Sequence, residues 1–430
     1  MSRILPRFIK NYAESSNFDV TDWKEFLQDG RIEIHLARNP EKPFECHCCG
    51  EKLGSHRGKH RLKLEGLPIM GIKVFLFLWR EKGHCPKCKK ARSERIEMVA
   101  EETPHLTQDY AWWLGRLCEI AAVSRVAELM GLDETTTWRL DLARMQRMAV
   151  HYKIPPVTRI SVDEVYSRKK PKFTGENRNL RFFTVITDLD TRKVIWVTEG
   201  RNEESLDSFF TLIGKEACEK ITVVAADLHK AFANSVKNNC PNATLVWDRF
   251  HVMQIFEKAL NEQRKILHEE FRKKSNMSEL TRGKYRFIFL KKASRRTESE
   301  QSHIDEIVKD NEDFLKLELI KEKMITFFDQ PDEYHGRMVF HDVGAWIIQS
   351  EFKELQKWWW NLEWQWKQLA NYFKFRVTSA VSEGINNVIK SLKRRAFGYR
   401  NMNYFRLKIM QVCGYLNSRF IPSVNSMTYT

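Results

Sequence analysis

Two Cys-x-x-Cys pairs constrain the fold of the first hundred residues more than any other feature of this 430-residue chain. Cys46 and Cys49 form the first pair and Cys85 and Cys88 the second, so each pair can present two thiolates to one tetrahedral Zn²⁺. Nine cysteines are too few for a disulfide scaffold in a chain of this length. The pairs therefore indicate a structural zinc site, with buried free cysteines as the alternative.

The residues around the cysteines favour a small β domain. Cys48, His47 and His84 lie beside the pairs and are spare ligand candidates. Apolar residues alternate over residues 31–36 and 72–79, which is typical of short strands. We predict a zinc-binding β domain over residues 1–104, in which a closed metal site stabilises the fold and places lysines against DNA phosphates.

Residues 105–154 change to a helical period that ends at the Pro155-Pro156 pair. We predict one apolar face made of Val126, Leu129 and Met130, a turn at Gly131, and a second helix from Asp133 or Glu134. This spacing is typical of a helix-turn-helix, although an ordinary helical hairpin has the same pattern. The second helix would expose three residues suited to DNA contacts, namely Thr135, Thr136 and Arg139.

The overall charge favours a polyanionic partner. Lys and Arg number 72 against 56 Asp and Glu, which gives a formal net charge of +16. Nucleic acid or an anionic membrane surface fits this balance, and a soluble basic protein is the alternative. Because no run of about 18 apolar residues occurs and the N-terminus lacks a secretory signal pattern, we expect a cytoplasmic protein with no membrane segment.

Beyond residue 155 the predicted elements follow the order βββαβαβ and then become helical. Strands are predicted at 159–165, 180–187, 193–199, 221–227 and 243–248, with helices at 205–218 and 229–239. From about residue 252 to 375 the chain is charged and aromatic without strand patterns, which predicts an all-helical insertion before a final helix from Ser382. Its tryptophan-rich segment, Lys357 to Trp366, suits helix core better than base stacking. The predicted fold class is α/β plus α.

Three carboxylates stand where these elements end or begin. Asp163 is predicted at the end of the first strand, Asp227 at the end of the fourth, and Glu383 in the first turn of the final helix. Hard oxygen ligands of this kind suit two Mg²⁺ (or Mn²⁺) ions, one activating the attacking oxygen and the other stabilising the leaving one. Taken singly, each acid has an ordinary alternative role as a turn or cap residue.

The final helix is predicted to be two-faced. Ile385, Val388, Ile389 and Leu392 form the apolar stripe, and Glu383 shares the opposite face with polar and basic residues. The residues predicted to contact DNA in this region are Asn387, Lys390, Lys393, Arg394, Arg395 and Arg400.

Other acidic residues near the predicted strands are assigned supporting roles. Glu164 should point to the sheet face opposite Asp163, and Asp188 and Asp190 are predicted turn residues. Asp248-x-x-His251 follows the fifth strand and is interpreted as supporting the metal ligands or DNA; a histidine satisfied within the core fits nearly as well.

Several motifs together resemble the ISL-three family of bacterial insertion-sequence transposases over almost the whole chain. The resemblance is carried by DGRIEIHL, CHCCG, CPKC, VAELMGLDETTTWR, SVDE, ADLHKAF, NATLVWDRFHV, SEGINNVIKSLKRRAFGYRN and FRLKI. It implies an RNase H-like catalytic domain interrupted by a helical insertion, a catalytic triad of Asp163, Asp227 and Glu383, and Asp248-x-x-His251 as an accompanying motif. The chain departs from the family in Cys48 and in a lysine-rich hairpin tip at residues 168–172.

The resemblance implies a division of the chain and an activity. It implies that residues 105–154 bind DNA, that 155–255 and 377–430 form the catalytic domain, and that 256–376 form the insertion. The expected activity is metal-dependent cleavage at terminal inverted repeats and strand transfer into target DNA, by a homodimer or higher oligomer associated with the bacterial nucleoid. The intact triad favours an active enzyme. A non-catalytic zinc-ribbon and helix-turn-helix regulator, or an RNase H-like nuclease, are the alternatives.

Overall fold

The computed structural model describes residues 17–42, 44–167, 181–274, 285–309, 311–377 and 380–417. The lysine-rich tip at residues 168–172 lies outside these ranges. By its internal contacts the chain divides into two compact units, one of residues 1–152 with 392–430 and one of residues 153–391. Among the described helices, none is both long and apolar enough to cross a membrane.

The first unit begins with a five-stranded sheet whose residues alternate between a buried and an exposed face. Its strands are β1 (Phe18–Phe26), β2 (Arg31–Arg38), β3 (His56–Ile69), β4 (Ile72–Cys85) and β5 (Lys90–Ser93). They lie in the order β1-β2-β4-β3 with β5 beside β4, and only β2 and β4 pair in parallel. Even-numbered residues such as Ile34, Leu64 and Leu76 form the core. The two strands predicted at residues 31–36 and 72–79 are confirmed as β2 and β4.

Three helices follow in the same unit: α1 (Gln108–Ile120), α2 (Val123–Met130) and α3 (Glu134–Val150). Asp133 caps α3 by accepting the N–H of Thr136, and Gly131 ends α2 with φ +65°. The predicted apolar face is wrong at Leu129, which is 74% exposed. The helix α2 is buried through Val126 and Ala127, and Leu129 lies about 200° around the helix from Ala127.

A second C-terminal helix, which was not predicted, packs within the first unit. It is α15 (Met402–Val412), and it follows α14 (Ala380–Arg395), which was predicted to be the last helix. The buried Lys408 ammonium of α15 lies 2.7 Å from Asp141 Oδ2 in α3 and donates to the carbonyl of Cys118 in α1. The unit boundary falls at Leu392, inside the segment predicted as one C-terminal part of the catalytic domain.

The second unit contains a five-stranded mixed sheet. Its strands are β6 (Arg159–Tyr166), β7 (Phe182–Asp188), β8 (Lys193–Glu199), β9 (Val223–Ala226) and β10 (Thr244–Trp247), in the order β10-β9-β6-β7-β8. The strand β7 is antiparallel to β6 and β8, whereas β6, β9 and β10 run parallel. Parallel neighbours need crossovers, which α4 (Glu203–Ile213), α5 (Lys215–Glu219) and α6 (Lys230–Asn239) supply. The predicted βββαβαβ order is confirmed, with α5 as an additional short helix.

Helices occupy the rest of the second unit. They are α7 (Arg249–Lys274), α8 (Tyr285–Leu290), α9 (Glu298–Lys309), α10 (Glu312–Ile325), α11 (Glu333–Gln349), α12 (Lys353–Glu363) and α13 (Trp366–Phe375), followed by α14. The described residues between 249 and 377 contain no strand, as predicted. Trp358 and Trp359 are core residues, and Trp359 donates to the carbonyl of Phe340, whereas Trp364 is 88% exposed.

Candidate active site and zinc site

Three aspartates lie at the same level of three neighbouring parallel strands in the second sheet. Val162 in β6 pairs with Ala226 in β9, and Ala226 pairs with Trp247 in β10. The residues that come next in the chain are Asp163 within β6, Asp227 directly after β9 and Asp248 directly after β10. The parallel register therefore brings these three acids together at one edge of the sheet, as was predicted for Asp163 and Asp227.

Asp163 is not at the end of its strand, so that part of the prediction is wrong. The strand β6 continues to Tyr166 because β7 pairs with it antiparallel along its whole length, with Asp163 opposite Val185. On its other side the parallel pairing with β9 ends at Val162. Asp163 is thus the first β6 residue without a β9 partner, and it lies at the edge where the parallel pairing ends.

His251 joins the two aspartates. Its Nε2 lies 3.4 Å from Asp163 Oδ1 and its Nδ1 lies 3.5 Å from Asp227 Oδ1. Burial lowers the pKa of His251, but the hydrogen bond to Asp163 and the charges of Asp227, Asp163 and Asp248 outweigh it and raise the pKa to about 9. The imidazolium therefore offsets the negative charge of the aspartate row.

The first turns of α14 lie against β6 through two polar contacts. The hydroxyls of Ser161 and Ser382, both buried, are 2.7 Å apart, and Asn386 donates from its side-chain amide to Asp163 Oδ2 over 2.7 Å. Ser161 and Asp163 share one face of β6 because they are two residues apart. Ser382 and Asn386 are four residues apart and share one face of α14, so the two contacts lie side by side between the strand and the helix. Sequence reasoning missed the role of Asn386; its position one turn after Glu383 in SEGINN was the available signal.

Glu383 is exposed in the first turn of α14, one position beyond the buried Ser382. Among the described residues, four cysteines are the only group of three or more side chains whose metal-binding atoms lie within 4.8 Å of one another. The carboxylate of Glu383 is therefore not clustered with those of Asp163 and Asp227 at this distance. The triad therefore stays a prediction. Glu164 points away from Asp163, as predicted, and its carboxylate lies 3.3 Å from Arg201.

The residues predicted to contact DNA are mostly on the surface. Thr135, Arg139, Asn387, Lys390, Arg394 and Arg400 are exposed, while Thr136 and Lys393 are half-buried. Arg395 donates to the carbonyls of Glu119 and Ile120, so its guanidinium is used in packing within the first unit. The predicted apolar stripe of α14 is wrong at Val388, which is 42% exposed, because Ile385, Ile389 and Leu392 already fill the narrower buried face.

The two Cys-x-x-Cys pairs meet in the first unit. The sulfur atoms of Cys46, Cys49, Cys85 and Cys88 all lie within 4.8 Å of one another, and Cys49 Sγ is 3.5 Å from Cys85 Sγ. Sulfurs at about 2.3 Å from a tetrahedral Zn²⁺ would be about 3.8 Å apart, so the cluster is compatible with a zinc site.

The spare ligand candidates lie outside the cysteine cluster. Cys48 and His84 are exposed, and the His47 ring nitrogen Nδ1 lies 3.2 Å from the carbonyl oxygen of Ser93. The backbone N–H of Cys88 points to Cys85 Sγ over 3.3 Å, a contact that favours a thiolate there. The four-cysteine set is therefore the one that the sequence spacing predicted.

Comparison with known proteins identifies the family. Residues 160–409, more than half of the chain, match the family model of ISL3 elements, DDE_Tnp_ISL3, described as "Transposase". The chain belongs to the ISL3 family of transposases. The matched region covers the aspartate row, His251 and α14. The ISL-three resemblance found in the motifs is thereby confirmed.

Two relatives of this transposase agree with that assignment. The transposase for insertion sequence element IS1001 of Bordetella parapertussis is 24% identical over 90% of this chain and 93% of its own length. The transposase for insertion sequence element IS1557 of Mycobacterium tuberculosis is 26% identical over 51% of this chain and 48% of its own length. The protein is a transposase of an insertion sequence element.

Proposed function

We propose that this transposase cleaves DNA at the terminal inverted repeats of its element and joins the freed ends to target DNA, using Asp163, Asp227 and Glu383. The observation that carries the proposal is the in-register row of Asp163 and Asp227 on adjacent parallel strands. Three antiparallel strands followed by parallel β9 and β10 also support an RNase H-like unit.

The three carboxylates supply the chemistry that Mg²⁺ or Mn²⁺ requires. Asp163 is buried, the Asp227 side chain is 26% exposed, and Glu383 is exposed. One carboxylate is therefore enclosed by the protein, and the other two are accessible to DNA from solvent. Bound ions would activate the attacking oxygen and stabilise the leaving one. Asn386 and Ser382 hold α14 against β6 through their contacts with Asp163 and Ser161. Glu383 lies on the same helix, within one turn of Asn386.

Exposed basic residues and the zinc-binding region would bind the DNA. Lys390, Arg394 and Arg400 are exposed on or after the helix that carries Glu383 and would contact phosphates. We assign Zn²⁺ to the four-cysteine cluster, and base or phosphate contacts to Thr135 and Arg139 at the start of α3. Two element ends must be joined in one reaction, so we propose a homodimer or higher oligomer on DNA.

The test is a cleavage assay with the purified protein, Mg²⁺ or Mn²⁺, and a labelled duplex that carries an end of its own genomic element. We expect metal-dependent nicking at the boundary, lost in Asp163→Asn, Asp227→Asn and Glu383→Gln while gel-shift binding persists. Asp190→Asn, a hairpin carboxylate with a 48% exposed side chain, is the matched control and should cleave normally. Binding without cleavage in the parent would support a regulator, and hydrolysis without joining would support a nuclease.

A further inference from the structure

The exposed face of the N-terminal sheet carries aromatic rings covered by cations. Phe75, Phe77 and Trp79 alternate along β4, on the face opposite the core residues Val74, Leu76 and Leu78. Trp79 is 49% exposed, and the two phenylalanines are half-buried. Large aromatic residues on the solvent side of a strand contribute nothing to the core, so their alternation on this face calls for another role.

The neighbouring edge strand β3 places a cation over each ring. Lys59 Nζ lies 5.1 Å from the centre of the Trp79 ring, the Arg61 guanidinium 4.9 Å from Phe77, and Lys63 Nζ 4.0 Å from Phe75. The antiparallel pairing of Arg61 with Trp79 and of Lys63 with Phe77 sets this alignment. A fourth ring, His35 of β2, stacks on Phe77 with the ring centres 5.3 Å apart.

The charge on this face is not neutralised by its acids. Glu65 lies 3.4 Å from Lys73, and Glu33 lies 3.1 Å from Arg31. Glu81, which stands opposite Lys59 in the strand register, lies 3.4 Å from His56 Nδ1. In the part of the chain that the structure describes, Lys59, Arg61 and Lys63 form no ion pair with a carboxylate. Three exposed cations therefore remain available to an anionic partner, directly above aromatic rings.

We infer that this sheet face, defined by Lys59, Arg61, Lys63, Phe75, Phe77 and Trp79, binds single-stranded DNA. Phosphates would meet the three cations, and unpaired bases would stack on the rings once the cations swing toward the backbone. A duplex hides the flat faces of its bases, whereas a single strand offers them, so the ring set favours unpaired nucleotides over a double helix. The surface lies in the N-terminal unit, and its role goes beyond cleavage by the carboxylates.

The test measures binding of the full-length protein to a labelled oligothymidylate of about 20 nucleotides over a range of salt concentrations, without added divalent metal. Neutralising the cations with Lys59→Gln, Arg61→Gln and Lys63→Gln should weaken binding and reduce the slope of log K against log salt by about 2, since each phosphate contact contributes about 0.7. The matched control removes three exposed lysines of the second unit, with Lys215→Gln, Lys220→Gln and Lys237→Gln, and should keep the parental slope.

A second variant separates stacking from charge. Phe75→Leu with Phe77→Leu keeps the face apolar and every cation in place, and we expect about tenfold weaker binding with an unchanged salt slope. Trp79→Leu, at the most exposed ring, provides the same measurement if the double variant does not fold. An unchanged slope in the cation variant, or unchanged affinity in the ring variants, would overturn the inference. Asp227→Asn should bind the oligonucleotide like the parent, so failure of the catalytic proposal and failure of this one are distinguishable.

Discussion

The side-chain amide of Asn386 donates to Oδ2 of Asp163 over 2.7 Å, which links the helix of Glu383 to the strand of the first predicted catalytic carboxylate. Asp163 Oδ1 accepts the backbone N–H of Glu164 and faces His251, so both oxygens of this buried carboxylate are engaged. Asn386 thus positions Asp163, and through the helix it positions Glu383.

Asn386→Asp should destabilise the protein in the absence of divalent metal. The change removes a donor and places a second carboxylate beside the buried Asp163, at a cost of about 1–3 kcal/mol. Added Mg²⁺ should then raise the melting temperature of the variant more than that of the parent, because a bound cation relieves the repulsion. Asn387→Asp, one position along on the exposed face, is the control and should respond to Mg²⁺ like the parent.

The Ser161–Ser382 contact should appear as an interaction energy in a double-mutant cycle. Each single change to Ala leaves one buried hydroxyl without its partner, which costs about 1–3 kcal/mol, whereas the double change removes both groups. Denaturant unfolding of the four proteins should therefore give a coupling of about 1 kcal/mol. Additive losses would show that the two hydroxyls do not stabilise each other.

The Lys408–Asp141 ion pair should be a major contributor to the stability of the first unit. Lys408→Met leaves a fully buried carboxylate that keeps the hydrogen bond donated by the hydroxyl of Tyr404, and we expect a loss of about 3–5 kcal/mol in urea unfolding. Replacing both partners, as Lys408→Met with Asp141→Leu, should recover much of the loss. Lys316→Met, which breaks an exposed pair with Glu312, should leave stability unchanged.

Zinc content should distinguish two adjacent cysteines. Cys49→Ser removes one of the four clustered sulfurs, so the purified protein should lose its zinc and melt at a lower temperature. Cys48→Ser changes an exposed thiol outside the cluster and should retain one zinc per chain. Equal zinc content in the two variants, measured by metal analysis after extensive dialysis, would contradict the four-cysteine site.

Local patterns in the sequence determined the elements of the second sheet and the candidate metal-binding residues. Alternating apolar residues predicted β2 and β4 of the first sheet but not β1, β3 or β5. The Cys-x-x-Cys spacing predicted the four-cysteine cluster, and hydrophobic period and turn residues predicted the βββαβαβ order of the second unit. Asp163 and Asp227 could be paired in advance because each was predicted at the end of a strand, and both were therefore expected to emerge at one edge of the sheet.

Tertiary structure alone decided how distant segments meet. The parallel register that aligns Asp248 with Asp227 and Asp163, the contact of Asn386 with a residue 223 positions away, and the packing of α15 on α1 and α3 depend on contacts between residues far apart in the chain. The spacing of apolar residues predicts which face of a helix is apolar, but it does not predict how wide a part of that face other elements bury. For that reason Leu129 and Val388 were predicted to be buried and are exposed.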